Sequence, residues 1–339
     1  MKAIVIKNPK EVLLEEQALP VPKEGEALLK LQYGGICGSD LNTYRGTFAY
    51  VTYPRVPGHE FSAEIVTVPE NNLGLSKGMI VTANPYFNCK TCYSCRRGLV
   101  NCCTDNQTMG VQREGAFSEY ITMPIERIYP AKGLDPLTLS LAEPFCIAYH
   151  GVQRAKVTKG DKVLIVGGGT IGILAAVAAK EQGAMVYVAD LSQHKLDLAK
   201  EFGVDGVVLA HTPEAYEQAV KEFTNGDGFD VTIEAVGLPQ TFEACINASA
   251  FGGRVVLIGV SGQTLDFLFT IIQKKELGIF GSRNATKADF EAVISLIQNS
   301  KVDLKKLISS VYPWEKAAEA FADFDKHAAQ MVKVVLDFT

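Results

Sequence analysis

The sequence predicts an α/β protein in which a β-rich unit accompanies a doubly wound parallel sheet. Two textures and one turn predict it. Up to about residue 150, short apolar runs such as "AIVIK", "EALLKLQYGGICG", "EFSAEIVTV" and "GMIVTANPY" are broken by Gly and Pro. That is how strands and turns read, and little helical period accompanies them. From Gly160 short, wholly apolar strands alternate with helical runs. Such alternation means a parallel sheet with helices on both faces. The turn is "VGGGTIG", set between the first of these strands and the helix after it.

Taken in order, "KVLIVGG" is a strand and "IGILAAVAAKEQG" a helix stopped by Gly. The strands "MVYVAD", "GVVLA", "FDVTIEAVG" and "RVVLIGV" come next, separated by helical runs at "LDLAKEFG", "EAYEQAVKEF" and "QTFEACINAS". After about residue 284 come two more helices, "KADFEAVISLIQNS" and "PWEKAAEAFADFDKH", and a closing strand, "MVKVVLDF". No internal repeat or low-complexity linker interrupts this order.

The bulk numbers exclude several classes. The chain has 339 residues, 47% apolar and 21% charged, which suits two globular domains. A net charge of −5 without a basic stripe argues against nucleic acid as partner. The N-terminal "MKAIVIKNPKEVLLEE" is charged too early for a signal peptide, and no apolar run reaches the roughly 18 to 20 residues of a membrane span. The chain therefore reads as cytoplasmic, where thiols stay reduced and clustered cysteines hold metals more often than they form disulfides.

Gly167, Gly169 and Gly172 form G-x-G-x-x-G. A lone glycine pattern is weak, but here it leaves a strand and opens a helix. The first Gly allows the tight turn, the second lets a pyrophosphate approach the backbone, and the third packs helix on strand. The helix start at Thr170 and Ile171 then turns its positive end to the phosphates. Asp190 closes the next strand, eighteen residues past Gly172, where a carboxylate binds ribose hydroxyls and repels the extra phosphate of NADP. Lys195, on the next helix, completes the candidate cofactor contacts. NAD is the expected cofactor; the alternative is a Rossmann-like domain binding another nucleotide or none.

Five of the eight cysteines fall within fifteen positions, in "CKTCYSCRRGLVNCC". Cys89, Cys92, Cys95 and Cys103 are spaced C-x2-C-x2-C-x7-C, which lets four thiolates close a tetrahedron around Zn2+. An iron–sulfur cluster is the rival, and Cys102 could replace its neighbour Cys103. A redox pair normally sits at a βα junction, which this stretch does not resemble. Cys146 and Cys245 lie in apolar surroundings, as core thiols do.

Two other segments carry metal-ligand residue types, "GGICGSDLN" with Cys37 and "YPRVPGHEF" with His59 and Glu60. With "GAFSEY", "AEPF" and "GGGTIG" coming after them in order, the chain resembles the zinc-dependent medium-chain dehydrogenases, in the sorbitol and threonine dehydrogenase branch. The likeness runs over nearly the whole length. It implies a GroES-like β-rich catalytic domain of residues 1–148 and 284–339, with a Rossmann domain inserted at 149–283. It implies two zinc ions per chain, one structural and one catalytic. Cys37, His59 and Glu60 become catalytic zinc ligands, with Glu143 binding directly or through water. Asp40 becomes the carboxylate that orients His59, and Ser39 the group that takes the substrate's hydroxyl proton. The reaction implied is hydride transfer from an alcohol carbon to nicotinamide. Relatives often carry a histidine three residues after this serine. Here Asn42 stands there and cannot take up a proton at neutral pH, so water becomes the exit route.

For the substrate, Arg283 comes after the last sheet strand near its carboxyl end, where ligands sit in doubly wound folds. An arginine there can clamp a carboxylate bidentately, or else contact the cofactor or a helix end. "YPRVPGHE" and "GSRNAT" are similar to the sugar-acid members of the branch, the L-gulonate and L-galactonate 5-dehydrogenases. A hexonate is therefore the expected substrate, with Tyr44, Arg45, Phe48 and Tyr53 shaping the pocket and Arg55 bracing its loop. The alternatives are a polyol, a polyol phosphate or L-threonine, and, in a different class, a catalytically silent NAD-binding relative. The family implies a homo-dimer or homo-tetramer.

Overall fold

The computed structural model of the chain describes residues 1–300 and 302–339, which divide into two units. The first comprises Met1–Glu143 with Ala285–Thr339, and the second Pro144–Asn284.

The first unit is built on one long strand, Glu26–Ile36. Its run "EALLKLQYGGI" is buried along most of its length because strands flank both sides. Glu60–Thr67 and Lys333–Asp337 pair with it antiparallel, and Tyr120–Pro124 joins its first half. Ile80–Ala83, Ile128–Pro130 and Ile308–Pro313 complete a seven-stranded sheet. Phe61, Phe117, Phe321, Leu29 and Ile36 fill the core beneath it. Strand register gathers distant segments at one point. Gly35 pairs with Glu60, and Ile36 with Val334, so three separate stretches of chain converge where the long strand ends at Cys37.

The second unit holds six strands, all parallel. Their order is Gly206–Leu209, Met185–Asp190, Lys162–Val166, Phe229–Glu234, Ser249–Leu257 and Gly278–Gly281. The chain first adds strands on one side of Lys162–Val166 and then crosses to the other. That reversal opens a crevice at the carboxyl ends of Lys162–Val166 and Phe229–Glu234, the usual ligand position in such sheets. Val163, Leu164, Ile165 and Val166 are essentially inaccessible, since helices cover both faces.

The fold class is as the sequence predicts: GroES-like and β-rich in one unit, doubly wound in the other. The reading of little helix before residue 150 needs correction. Gly38–Arg45 is a helix ending at Gly46, whose φ of 79° is left-handed. Ala142–Arg154 is a second helix. The first is too short and polar to show a period. The second carries Pro144 in its opening turn, where no backbone donor is needed, so a residue that reads as a break is tolerated.

Candidate active site

At the end of the long strand, Cys37, His59 and Glu60 bring one ligand atom each within 4.8 Å of one another. Asp40 ties the two segments together: its Oδ2 accepts from Cys37 N at 3.0 Å and its Oδ1 from Gly58 N at 3.1 Å. Asp40 Oδ1 lies 4.0 Å from His59 Nδ1, beyond a hydrogen bond, and that ring nitrogen is buried without a partner. Glu60 is seated just as closely. A Cβ on Gly35 would fall 2.4 Å from Glu60 Oε2, so only glycine leaves the carboxylate room.

Two residues that sequence reading missed complete the cluster. Lys333 Nζ donates to Glu60 Oε2 at 2.6 Å and to Ile36 O at 3.2 Å, with both charged side chains buried. Tyr86 donates its hydroxyl to Glu143 Oε1. The signal for Lys333 was one cation inside the apolar strand "MVKVVLDF"; for Tyr86 there was none beyond its place before the thiol cluster. Burial pushes Glu143 up to about 7. Burial alone would lower His59, yet the charges of Cys37, Asp40 and Glu143 outweigh it and hold the imidazole well above its ordinary value. The Lys333 ammonium and the His59 imidazole sit among Cys37, Asp40, Glu60 and Glu143, so the cluster offers thiol, imidazole and carboxylate donors. That donor set and the orphaned ring nitrogen fit a divalent zinc ion.

The sulfurs of Cys89, Cys92, Cys95 and Cys103 likewise lie within 4.8 Å of one another. Zn–S bonds of about 2.3 Å in a tetrahedron separate sulfurs by about 3.8 Å. Cys92 and Cys103 are 3.9 Å apart. Backbone donors turn inward as well, Cys89 N to Cys103 Sγ and Cys92 N to Cys89 Sγ, both at 3.2 Å. Donors from Cys95 and Thr104 hold Cys92 down to about 5, favouring the thiolate. Cys102 is exposed and outside the group, while Cys146 and Cys245 are buried.

In the second unit, Gly167 turns the chain with φ of 111° and a Cβ on Gly172 would strike Gly167 O at 1.7 Å. Gly169 is different: a Cβ there would meet nothing within 4 Å, which leaves the helix start open to an anion. Thr170 and Ile171 begin helix Thr170–Glu181. Asp190 Oδ2 accepts from Gly168 N at 2.6 Å and Oδ1 from Ser192 N at 2.8 Å, which fixes the carboxylate at the carboxyl end of its strand. The Lys195 Cβ would lie 3.3 Å from a Cβ on Gly168, so it stands against the same turn.

The residues expected to line a substrate pocket fare unevenly. Tyr44 is buried against Phe321 with ring centroids 5.5 Å apart, and Arg45 Nε binds Asp325 Oδ1 at 2.5 Å. Packing holds the first and pairing the second. Phe48 meets Tyr50 edge-on at 5.5 Å, and Tyr53 donates its hydroxyl to Thr43 O. Arg55 binds Glu114 Oε1 at 2.8 Å and Thr52 Oγ1 at 3.0 Å, bracing its loop. Ser39 lies in the first turn of helix Gly38–Arg45, two residues from Cys37. Asn42 Oδ1 accepts from Arg45 Nη1 at 3.4 Å. Arg283 lies just past strand Gly278–Gly281 in the second unit.

Comparison with known proteins agrees with this chemistry. Residues 23–133 match the alcohol dehydrogenase GroES-like domain and residues 170–299 the zinc-binding dehydrogenase family. The chain is 34% identical to L-galactonate-5-dehydrogenase of Escherichia coli, over 100% of this chain and 99% of that one. It is 33% identical to sorbitol dehydrogenase of Halalkalibacterium halodurans, covering 95% and 94%. An alcohol dehydrogenase from Escherichia coli, solved with NADH, superposes with a TM-score of 0.91 at 32% identity, over 99% of both chains.

Proposed function

The chain belongs to the zinc-type medium-chain alcohol dehydrogenases, and from that premise we propose that it oxidises a secondary hydroxyl of a sugar acid with NAD. The acid is of the L-galactonate or L-gulonate type, and the products are a keto-acid, NADH and a proton. The observation that carries the reaction class is the convergence of Cys37, His59 and Glu60 beside Glu143. The full-length likeness to an L-galactonate dehydrogenase supports the substrate.

Cys37, His59 and Glu60 hold the catalytic zinc and Glu143 stands as the second carboxylate. When bound, zinc supplies Lewis acidity toward the alcohol oxygen. Ser39 Oγ accepts the hydroxyl proton and passes its own outward. Asn42 cannot continue that relay, because an amide takes up no proton and its Oδ1 already accepts from Arg45, so water carries the proton away. Asp190 binds the adenosine ribose and repels the NADP phosphate, and Arg283 clamps the substrate carboxylate. Cys89, Cys92, Cys95 and Cys103 hold the structural zinc. Reduced thiols suit a cytoplasmic enzyme, and the family suggests a homo-oligomer.

The test is NADH formation across L-galactonate, L-gulonate, D-mannonate, sorbitol, galactitol, L-threonine and polyol phosphates. Turnover of one hexonate without its matching polyol is the expected result. A polyol or polyol phosphate winning would remove the carboxylate clamp but keep the hydride chemistry. NAD binding with no turnover of any alcohol would mark a silent relative.

A further inference from the structure

Residues Asn84–Asn88 join the two candidate metal sites by an unbroken run of contacts within the first unit. At one end the Tyr86 hydroxyl donates to Glu143. In the middle, Arg127 grips the same segment twice, Nη1 on Tyr86 O at 2.5 Å and Nη2 on Asn88 Oδ1 at 3.0 Å. At the other end, Asn88 Nδ2 donates to Cys95 Sγ at 3.6 Å. Arg113 and Arg127 also stack on the Phe87 ring, their guanidinium carbons 3.6 and 4.5 Å from its centroid.

The segment has little structure of its own. Among the described residues, strand Tyr86–Phe87 pairs only with Gln107–Thr108, two residues against two. A ribbon this short does not hold itself together in water. Both its strands run into the thiol lobe, since Cys89 lies two residues beyond Phe87 and Cys103 four residues before Gln107. Whatever closes the four thiols therefore closes the ribbon, and the ribbon carries the donor that holds Glu143.

We propose that Asn84–Asn88 is a strap through which the four-thiol lobe sets the position of Glu143, with Tyr86 and Arg127 as positioning residues. This rests on the zinc reading of both clusters. A lobe metal is then more than a local staple: it fixes a carboxylate in the other site.

The test monitors zinc released to a chromogenic chelator from the purified protein, in wild type, Tyr86→Phe, Arg127→Met and the double variant. Wild type should release two zinc ions in two phases, and Cys37→Ser identifies the catalytic one by removing it. Each single variant should speed the catalytic phase about tenfold, as loss of a group supporting a metal ligand commonly does. The double variant should be no faster than the singles, because both changes cut one strap. Tyr86→Phe should leave the lobe phase unchanged. If Arg127→Met does not fold, Asn88→Ala carries the same test. An Arg127→Met catalytic phase equal to wild type, or factors that multiply in the double variant, would overturn the strap alone. A wild type that releases one zinc per chain would overturn the strap and the metal reading together.

Discussion

Lys333 Nζ and Glu60 Oε2 lie 2.6 Å apart, a buried ion pair closed across 273 positions of chain. The closing strand Lys333–Asp337 lies antiparallel beside Glu26–Ile36, which brings the ammonium to the end of the strand that leads into Cys37. The last strand of the chain thus supplies a cation to the ligand cluster.

Lys333→Met should destabilise the metal-free protein by about 3 to 5 kcal/mol, because it leaves a buried carboxylate without its partner. A bound divalent cation takes over part of that role. Calorimetry should therefore show a wider gap in Tm between zinc-loaded and stripped protein in the variant than in wild type, with Lys333→Arg between them. Equal gaps would mean that Glu60 does not face the metal.

Arg45→Ala should leave the KM for substrate unchanged, since Arg45 is spent on Asp325. Lys10 and then Arg45 hold the Asp325 carboxyl below its ordinary range. Stability from this contact is therefore complete above the unfolded carboxylate pKa of about 3.9 and is lost as pH falls through the lower folded value. Partly exposed as it is, the contact contributes no more than about 1 kcal/mol. Asp325→Asn should flatten the acid limb of a stability–pH profile, and an unchanged limb would refute the pairing in solution.

Arg283→Ala should raise the KM for a hexonate at least about tenfold, a loss of about 1.4 kcal/mol, while the Kd for NAD is unaffected. Equal losses on both would turn Arg283 into a cofactor or structural contact.

Asp190→Ser should shift preference toward NADP. It removes the charge that repels the extra phosphate, and it also removes the acceptor that holds Gly168 N. Affinity for NAD should fall about tenfold, the factor of one good charged hydrogen bond. Unchanged discrimination, read from kcat/KM for the two cofactors, would place the selectivity elsewhere.

Sequence and structure agree where local pattern and spacing carry the information. Cys89, Cys92, Cys95 and Cys103 sit on one short stretch, so spacing alone identifies them as a group. The glycine turn reads from its strand and helix context. Lys333 could not be read this way, because its partner lies in another strand and only the sheet register joins them. Tyr44 and Arg45 lie just past Ser39 and Asp40, near the cluster in sequence, and the short helix Gly38–Arg45 turns them toward Phe321 and Asp325. A helix of two turns leaves no period from which that direction can be read.

The most direct measurement is the zinc content and NADH-forming activity of Cys37→Ser beside wild type. The account predicts two zinc ions per wild-type chain and one in the variant, held by the thiol lobe. Turnover should fall about a thousandfold or more, the loss of several kcal/mol of Lewis-acid assistance. A Cys37→Ser protein that keeps both ions and its turnover would contradict the account at its centre.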